Sequence, residues 1–227
     1  MGFKLPTFSL QGRTEALKWV ALLLMTLDHI NKYLFGGASP ALLNAGRIAM
    51  PLFLTVFAYN LARPEVCGTK KHLHAIRNVG LMAVITTPIF LALGKLLWGW
   101  FPLNILFTLF TFSLTIYLLE SGKSGWALLV FMVGGALTEF FWPAIGLGVA
   151  IWSYYKKPSW GAAAAATVFW LSLGTVNGNQ WALSAIVVLA FVAYSGKVIK
   201  LPRLKWLFYS YYPLHLAAIL FVKNLAK

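Results

Sequence analysis

Nine apolar runs separated by short polar segments leave this chain few ways to fold. They fall at roughly residues 16–35, 46–62, 78–97, 102–120, 125–138, 141–155, 160–174, 181–195 and 206–222. A bilayer-crossing helix needs about 20 mostly apolar residues, with latitude for tilt. Hydrophobic residues make up 60% of the chain and charged residues 11%, against about 45–50% and about 25% in soluble domains. The expectation is an all-α fold: a polytopic integral membrane helical bundle of about nine transmembrane helices, forming one domain over residues 1–227. Gly134-Gly135 and Trp142-Pro143 interrupt the fifth and sixth runs, so 125–155 is either one re-entrant pair or two short spans. No internal repeat is found, and the Ala162–Ala166 run reads as a close-packing helix surface.

Charge sets the orientation. The chain has 19 Lys and Arg against 5 Asp and Glu. Alternating the runs across a bilayer leaves Lys32, Arg47, Lys95, Lys223 and Lys227 on one side and all other basic residues opposite. Basic loops stay cytoplasmic, so the N-terminus is expected inside. Because the basic residues sit in short segments between apolar runs, their excess does not argue for nucleic acid. A removable leader would have its apolar region interrupted by Asp28 and His29, so the first run is expected to be retained. The lone Cys67 excludes an internal disulfide and a multi-thiolate metal site. The chain lacks the H-E-x-x-H, G-x-S-x-G and P-loop motifs. His72 and His74 have no nearby carboxylate and are expected in a basic surface segment suited to anionic lipid or an anionic cofactor, with no metal.

The residues that cost most in a bilayer are few. An ionisable group at mid-bilayer costs about 2.5–3.5 kcal/mol on insertion scales, so each is a functional candidate. In LLLMTLDHINKYLF, residues 22–35, Asp28 lies about 12 residues into the first run, roughly 18 Å deep. Asp28 and Lys32 are spaced to pair along one helix face, with Asn31 beside them and His29 turned away. Arg47 opens the second run, either snorkelling outward or lining a cavity. Pro51, four residues later, has no N–H for the Arg47 carbonyl, and Pro213 likewise releases Tyr209. His215 is near mid-depth, paired with a tyrosine or a carbonyl or serving chemistry. Asn104, Glu139 and the Asn177-Gly178-Asn179 turn fall on the outer side. Asp28, His29, Asn31, Lys32, Arg47, Asn104 and Glu139 are all in the outer half, which favours one shared cavity. Histidine bases with an arginine for an oxyanion suit acyl transfer.

The segments LKWVALLLMTLDHINKYLF (17–35), GRIAMPLFLTVFAYNLARP (46–64), NILFTL (104–109) and FYSYYPLHLAAIL (208–220) resemble the TraX family of conjugative pilin acetyltransferases. The opening KLPTFSLQGRTEALKW is similar to its TrbP-like members on IncP-type plasmids. The resemblance implies a multi-pass enzyme of a bacterial inner membrane that moves acetyl from acetyl-CoA to the N-terminal amine of pilin. It also implies a likeness to membrane acyltransferases that modify surface polysaccharides. By motif it carries over Asp28, His29, Arg47, Asn104 and His215. The expected catalytic set is His29 as base, oriented by Asp28, with His215 second and Arg47 at the oxyanion. Asn31, Lys32, Asn104, Tyr209 and Tyr212 are expected to contact the acceptor. Lys70, Lys71, Arg77 and Arg203 are expected to hold the nucleotide end of coenzyme A. The alternatives are a pilin chaperone, an acyltransferase with another periplasmic acceptor, and a solute transporter.

Overall fold

A computed structural model describes residues 9–94, 96–195, 201–202 and 204–226. Among these residues there is no named strand, and two isolated bridges, Leu97 to Phe101 and Leu103 to Thr138, are the only β pairing. The helices are α1 (Thr14–Tyr33), α2 (Pro40–Arg47), α3 (Ala49–Ala62), α4 (Lys70–Leu93), α5 (Ile105–Glu120), α6 (Ser124–Leu137), α7 (Phe141–Lys156), α8 (Trp160–Asn177), α9 (Ala185–Tyr194) and α10 (Lys205–Leu225), with a 3₁₀ turn at Trp181–Ser184.

Every apolar run contains a helix, and the boundaries follow capping chemistry. Ser39, Thr69, Asn104 and Ser159 accept from amides of α2, α4, α5 and α8, satisfying donors that have no intrahelical partner. Gly178, at φ +69°, ends α8 in the left-handed conformation that favours glycine. Lys223 Nζ donates to the Leu93 carbonyl at 2.8 Å and closes α4.

Two boundaries differ from expectation. The second run starts earlier, as the separate helix α2, because Pro40 fits its first turn and Ser39 caps it. Pro51 then lies in the first turn of α3, where its missing N–H costs nothing. Helix α4 begins at Lys70, eight residues before the apolar run, so His72 is not on the surface. It is 0% exposed. Its Nδ1 accepts from Gly68 N–H and its Nε2 donates to the Ser113 carbonyl. Residues 125–155 form two separate helices, α6 and α7.

Two apolar cores hold the bundle. The larger joins α1, α3, α5, α7, α8 and α9 around Leu54, Phe112, Leu147 and Leu173. The smaller joins α1, the start of α3, the end of α4 and α10 around Leu93, Tyr212 and Leu216. Leu24, Phe53 and Ile105 touch both cores. Alternating helices divide the loops between two ends. Lys156 pairs with Glu120 and approaches Cys67 at 4.0 Å, so the 63–69 loop and the ends of α5 and α7 meet at one end. The other end gathers the end of α1, the starts of α3, α5 and α7, and the 138–140 loop.

The outward surface is apolar. Of α6 only Ala127 and Gly135 are buried, and of α9 only Ala185. Leu128, Leu129, Met132, Val133, Ile186, Val187 and Phe191 are exposed. The exposed tryptophans avoid helix middles. Trp126, Trp160 and Trp206 sit at helix starts at one end, and Trp98, Trp100, Trp142 and Trp181 lie at the other. Two helical segments, Pro40–Ala62 and Lys70–Leu93, are long and apolar enough on their own to cross a membrane, and several apolar helices are shorter.

Packing around Gly148 gives a direct test. A Cβ there would lie 2.6 Å from Phe112 and 3.2 Å from Leu54. Gly148→Val is expected to cost about 1–3 kcal/mol, read as a lower Tm in detergent. Gly125→Ala, with nothing within 4 Å of its Cβ, should leave Tm nearly unchanged.

Candidate functional site

A cavity of about 70 Å³ opens where the two cores meet, lined among others by Asp28, His29, Lys32, Arg47, Glu139 and Phe140. Residues from α1, α2, α3, α5 and the 138–140 loop form its walls. Met25, Ala49, Met50, Phe53 and Ile105 give it an apolar side.

The charged side is built on a helix crossing. A Cβ on Gly46 would lie 2.3 Å from the Cβ of Asp28, so α2 can cross α1 this closely only with glycine there. The crossing delivers Arg47 to Asp28: its Nη2 donates to the two carboxylate oxygens at 3.1 and 3.4 Å. Arg47 thus takes the cavity-lining place instead of snorkelling outward, and Asp28 gains an interhelical partner besides the Lys32 expected on its own helix; the bridged side chains are 17% and 16% exposed. Arg47 Nη1 donates to Asn177 Oδ1 at 3.3 Å and Nε to the Leu43 carbonyl at 3.4 Å. The 177–179 turn therefore has a second role, since Asn179 also donates to Asn44 at 3.4 Å. Lys32 lines the same cavity, its Nζ 5.1 Å from the Tyr33 ring centre.

Behind the cavity wall, α10 meets α1 through two histidines. His29 Nδ1 and His215 Nε2 are 2.7 Å apart, their rings stacked 5.0 Å apart at 7°. His215 Nδ1 lies 2.9 Å from the Tyr211 carbonyl. A carbonyl can only accept, so His215 carries its proton on Nδ1. Its Nε2 is then an acceptor, and His29 must donate from Nδ1. His29 Nε2 is left with a lone pair, on a residue that lines the cavity. Tyr212 sets its ring against both histidines, 5.9 Å from His29 and 5.4 Å from His215. Tyr211 anchors the seam one turn away, its hydroxyl 2.7 Å from Thr26 Oγ1.

The other residues expected at the site do not line the cavity. Asn31 is buried away from the cavity and grips Ser39 twice, at 2.9 Å each way. It lies three residues from Asp28, but its amide is complementary to the backbone of the turn before α2. Asn104 is also buried: its Oδ1 caps α5, and its Nδ2 donates to Ala83 and Thr87 of α4. Tyr209 neighbours Asn78 of α4, because α10 turns that face toward α4. Tyr212 contacts the histidines but does not line the cavity. Lys70, Lys71 and Arg77 are exposed on the first turns of α4, at the end away from the cavity. Arg203 lies outside the described residues. Among the described residues no three His, Cys, Asp or Glu side chains are grouped to hold a metal ion.

The sequence placed Glu139 with the outer-half residues expected to share one cavity but gave it no chemical role, and the structure puts it in the cavity wall. Its signal was an isolated acid between two apolar runs. The hydroxyls of Tyr33 and Tyr212 are buried without a hydrogen-bond partner among the described residues.

The family model described as TraX protein matches residues 13–223. The chain belongs to the TraX family. Protein TraX of Escherichia coli (strain K12) is 32% identical over 142 residues, 60% of this chain and 53% of the relative. Another Protein TraX of Escherichia coli is 31% identical over 151 residues, 63% of this chain and 56% of the relative. The chain thus spans about half the length of the curated relatives it matches. No solved structure matches it. The TraX match takes in the whole cavity and His215.

A double-variant cycle tests the bridge. Asp28→Ala and Arg47→Ala each leave one charge uncompensated and are each expected to lower unfolding free energy in mixed micelles by about 3 kcal/mol. The double variant should cost less than the two together, with a coupling of at least ~1 kcal/mol.

Proposed function

We propose that this TraX-family chain is a multi-pass bacterial inner-membrane acetyltransferase that moves acetyl from acetyl-CoA to the N-terminal amine of a conjugative pilin. The observation that carries the reading is the hydrogen-bond chain from the Tyr211 carbonyl through His215 to His29, which leaves one unprotonated nitrogen on an imidazole that lines a charged cavity. That is the equipment of a general base.

The membrane reading is supported by the inverted surface. In water, α6 and α9 would expose extended apolar faces with nothing to cover them. In lipid the same faces are solvated. Exposed tryptophans confined to two ends match the interfacial belts of membrane proteins. Helix α8 has 18 residues, about 27 Å at 1.5 Å per residue, close to the roughly 30 Å of a hydrocarbon layer. The basic end, with Lys70, Lys71, Arg77, Lys123 and Lys156, is the cytoplasmic one by the positive-inside rule.

In the reaction, the acceptor ammonium gives one proton to His29 Nε2, and the freed amine attacks the thioester carbonyl carbon. A C–N bond forms and the carbonyl electrons move to oxygen. Collapse breaks the C–S bond, and the second amine proton ends on the departing thiol. His215 holds the ring of His29 and shares the charge it gains. Arg47, pinned by Asp28 and Asn177, and Lys32 supply positive potential for the oxyanion. The exposed Lys70, Lys71 and Arg77 suit the phosphates of coenzyme A at the opposite end, so the thioester arm reaches the cavity through the bundle.

His29→Ala is expected to lower acetyl transfer by roughly 10²–10⁴-fold, and His215→Ala by less, with both proteins inserted and folded. Intact mass of the pilin from cells carrying each variant reads this as loss of one acetyl group. Full acetylation by His29→Ala would refute the assignment, and a pilin mass indifferent to the protein itself would refute the acceptor.

A further inference from the structure

We infer that Glu139 is the acceptor-recognition residue of the cavity, the carboxylate that binds the incoming ammonium and holds it for His29. The identity of the acceptor as an amine rests on the acyl-transfer reading above; the placement of Glu139 does not.

The cavity contains two carboxylates, and they are held differently. Both oxygens of Asp28 receive the Arg47 guanidinium, so Asp28 serves as a counter-ion within the wall. Glu139 lines the cavity next to Ile105 at the start of α5. Lys32, Arg47 and Asp28 are the charges that act on it. A carboxylate offers about four lone-pair sites, more than the neighbouring Lys32 can occupy, which leaves acceptor capacity on the cavity side. Without His29, the lining carries two negative and two positive side chains. A cationic substrate therefore enters a site whose net charge does not repel it.

The backbone is built to present this side chain. Phe140 and Phe141 have φ of +63° and +51°, a left-handed conformation that is an outlier for bulky residues. Each costs on the order of 1–3 kcal/mol and persists only where its surroundings fix it. The surroundings are specific. Leu103 N–H donates to Leu137 O at 2.8 Å, Glu139 N–H to Leu103 O at 2.9 Å, and Thr108 Oγ1 to Glu139 O at 2.7 Å. The two left-handed residues turn the chain sharply into α7, while Glu139 and Phe140 both reach the cavity. A relaxed turn of polar residues would join α6 to α7 at lower cost. Glu139 also lies within electrostatic reach of the Tyr33 and Tyr212 hydroxyls, which are buried without partners among the described residues. A carboxylate present only to pair with Lys32 needs neither the forced turn nor the phenols beside it.

The test is binding, measured without turnover. The full chain in detergent is titrated with a short apolar peptide bearing a free N-terminal amine and with its Nα-acetylated twin. The wild type is expected to prefer the free amine by roughly tenfold to a hundredfold, the scale of a charge-assisted hydrogen bond. Glu139→Gln keeps size and shape but removes the charge, and should bring the ratio near one while leaving Kd for the acetylated peptide within about threefold of wild type. Glu139→Asp should retain part of the preference. An undiminished ratio in Glu139→Gln overturns the proposal, as does equal weakening for both peptides, which would mark a purely structural residue. A preference lost in Glu139→Gln from a protein that forms no acetylated product would uphold amine recognition and defeat the transferase reading alone.

Discussion

A carboxylate and a guanidinium inside an apolar bundle are tolerable only together. Leaving either unpaired away from water costs several kcal/mol, and the pair breaks even only when geometry and further hydrogen bonds are good. Asp28 and Arg47 meet that demand, and the elements at this end of the bundle are arranged around it. Gly46 lets α2 lie directly on α1. Asn31 fixes the turn before α2 by holding Ser39 from both sides. Asn177, at the end of α8, takes the other guanidinium nitrogen. The bridge thus ties three separate stretches of chain to one point and fixes the mouth of the cavity.

On the proposed chemistry, the histidine pair is a different solution to orienting a base. In the familiar triad a carboxylate holds the imidazole and stabilises its cation. Here a neutral histidine and a backbone carbonyl do the holding. The arrangement avoids burying another unpaired carboxylate in the seam between α1 and α10, where the packing is apolar. Charge arriving on His29 is answered instead by Asp28 and Glu139, which share the cavity with it. On the proposed chemistry, orientation and charge balance are divided between different residues, so removing one should not reproduce the effect of removing the other.

Much of this could be read from the sequence because it depends on local pattern. Apolar runs locate the helices, since a helix is the one structure that satisfies a single segment's backbone within itself in an apolar medium. The rarity of Asp28, His29, Arg47 and His215 within such runs marks them as expensive. What could not be read depends on partners distant in sequence. Asp28 has a plausible partner four residues away in Lys32, and only the α1–α2 crossing shows that Arg47 takes its carboxylate. Asn31, Asn104 and Tyr209 look like site residues by neighbourhood, yet each is complementary to a backbone or side chain of another element. His72 lies ahead of its apolar run, because Thr69 caps a helix whose first turns are charged outside and packed on α5 inside. Glu139 was visible as an isolated acid, but its presentation comes from two left-handed phenylalanines, a conformation their side chains do not announce.

The depth of the cavity limits what can enter it. His29 is four residues from the end of α1 at Tyr33, about 6 Å along the axis. Arg47 and Glu139 sit at helix ends beside it. On the membrane reading, the cavity therefore lies inside the apolar layer but close to its outer boundary, level with the aromatic belt of Trp98, Trp100, Trp142 and Trp181. A soluble acceptor would have to leave water to reach it. An amine at the start of a membrane-embedded segment is already at this depth, with its apolar body in lipid and its charge at the interface. The donor faces the reverse problem: the exposed basic residues that suit its phosphates lie at the far end of α4, a helix of 24 residues and about 36 Å. On the proposed chemistry, acceptor and donor thus approach the His29–His215 pair from opposite ends of the bundle.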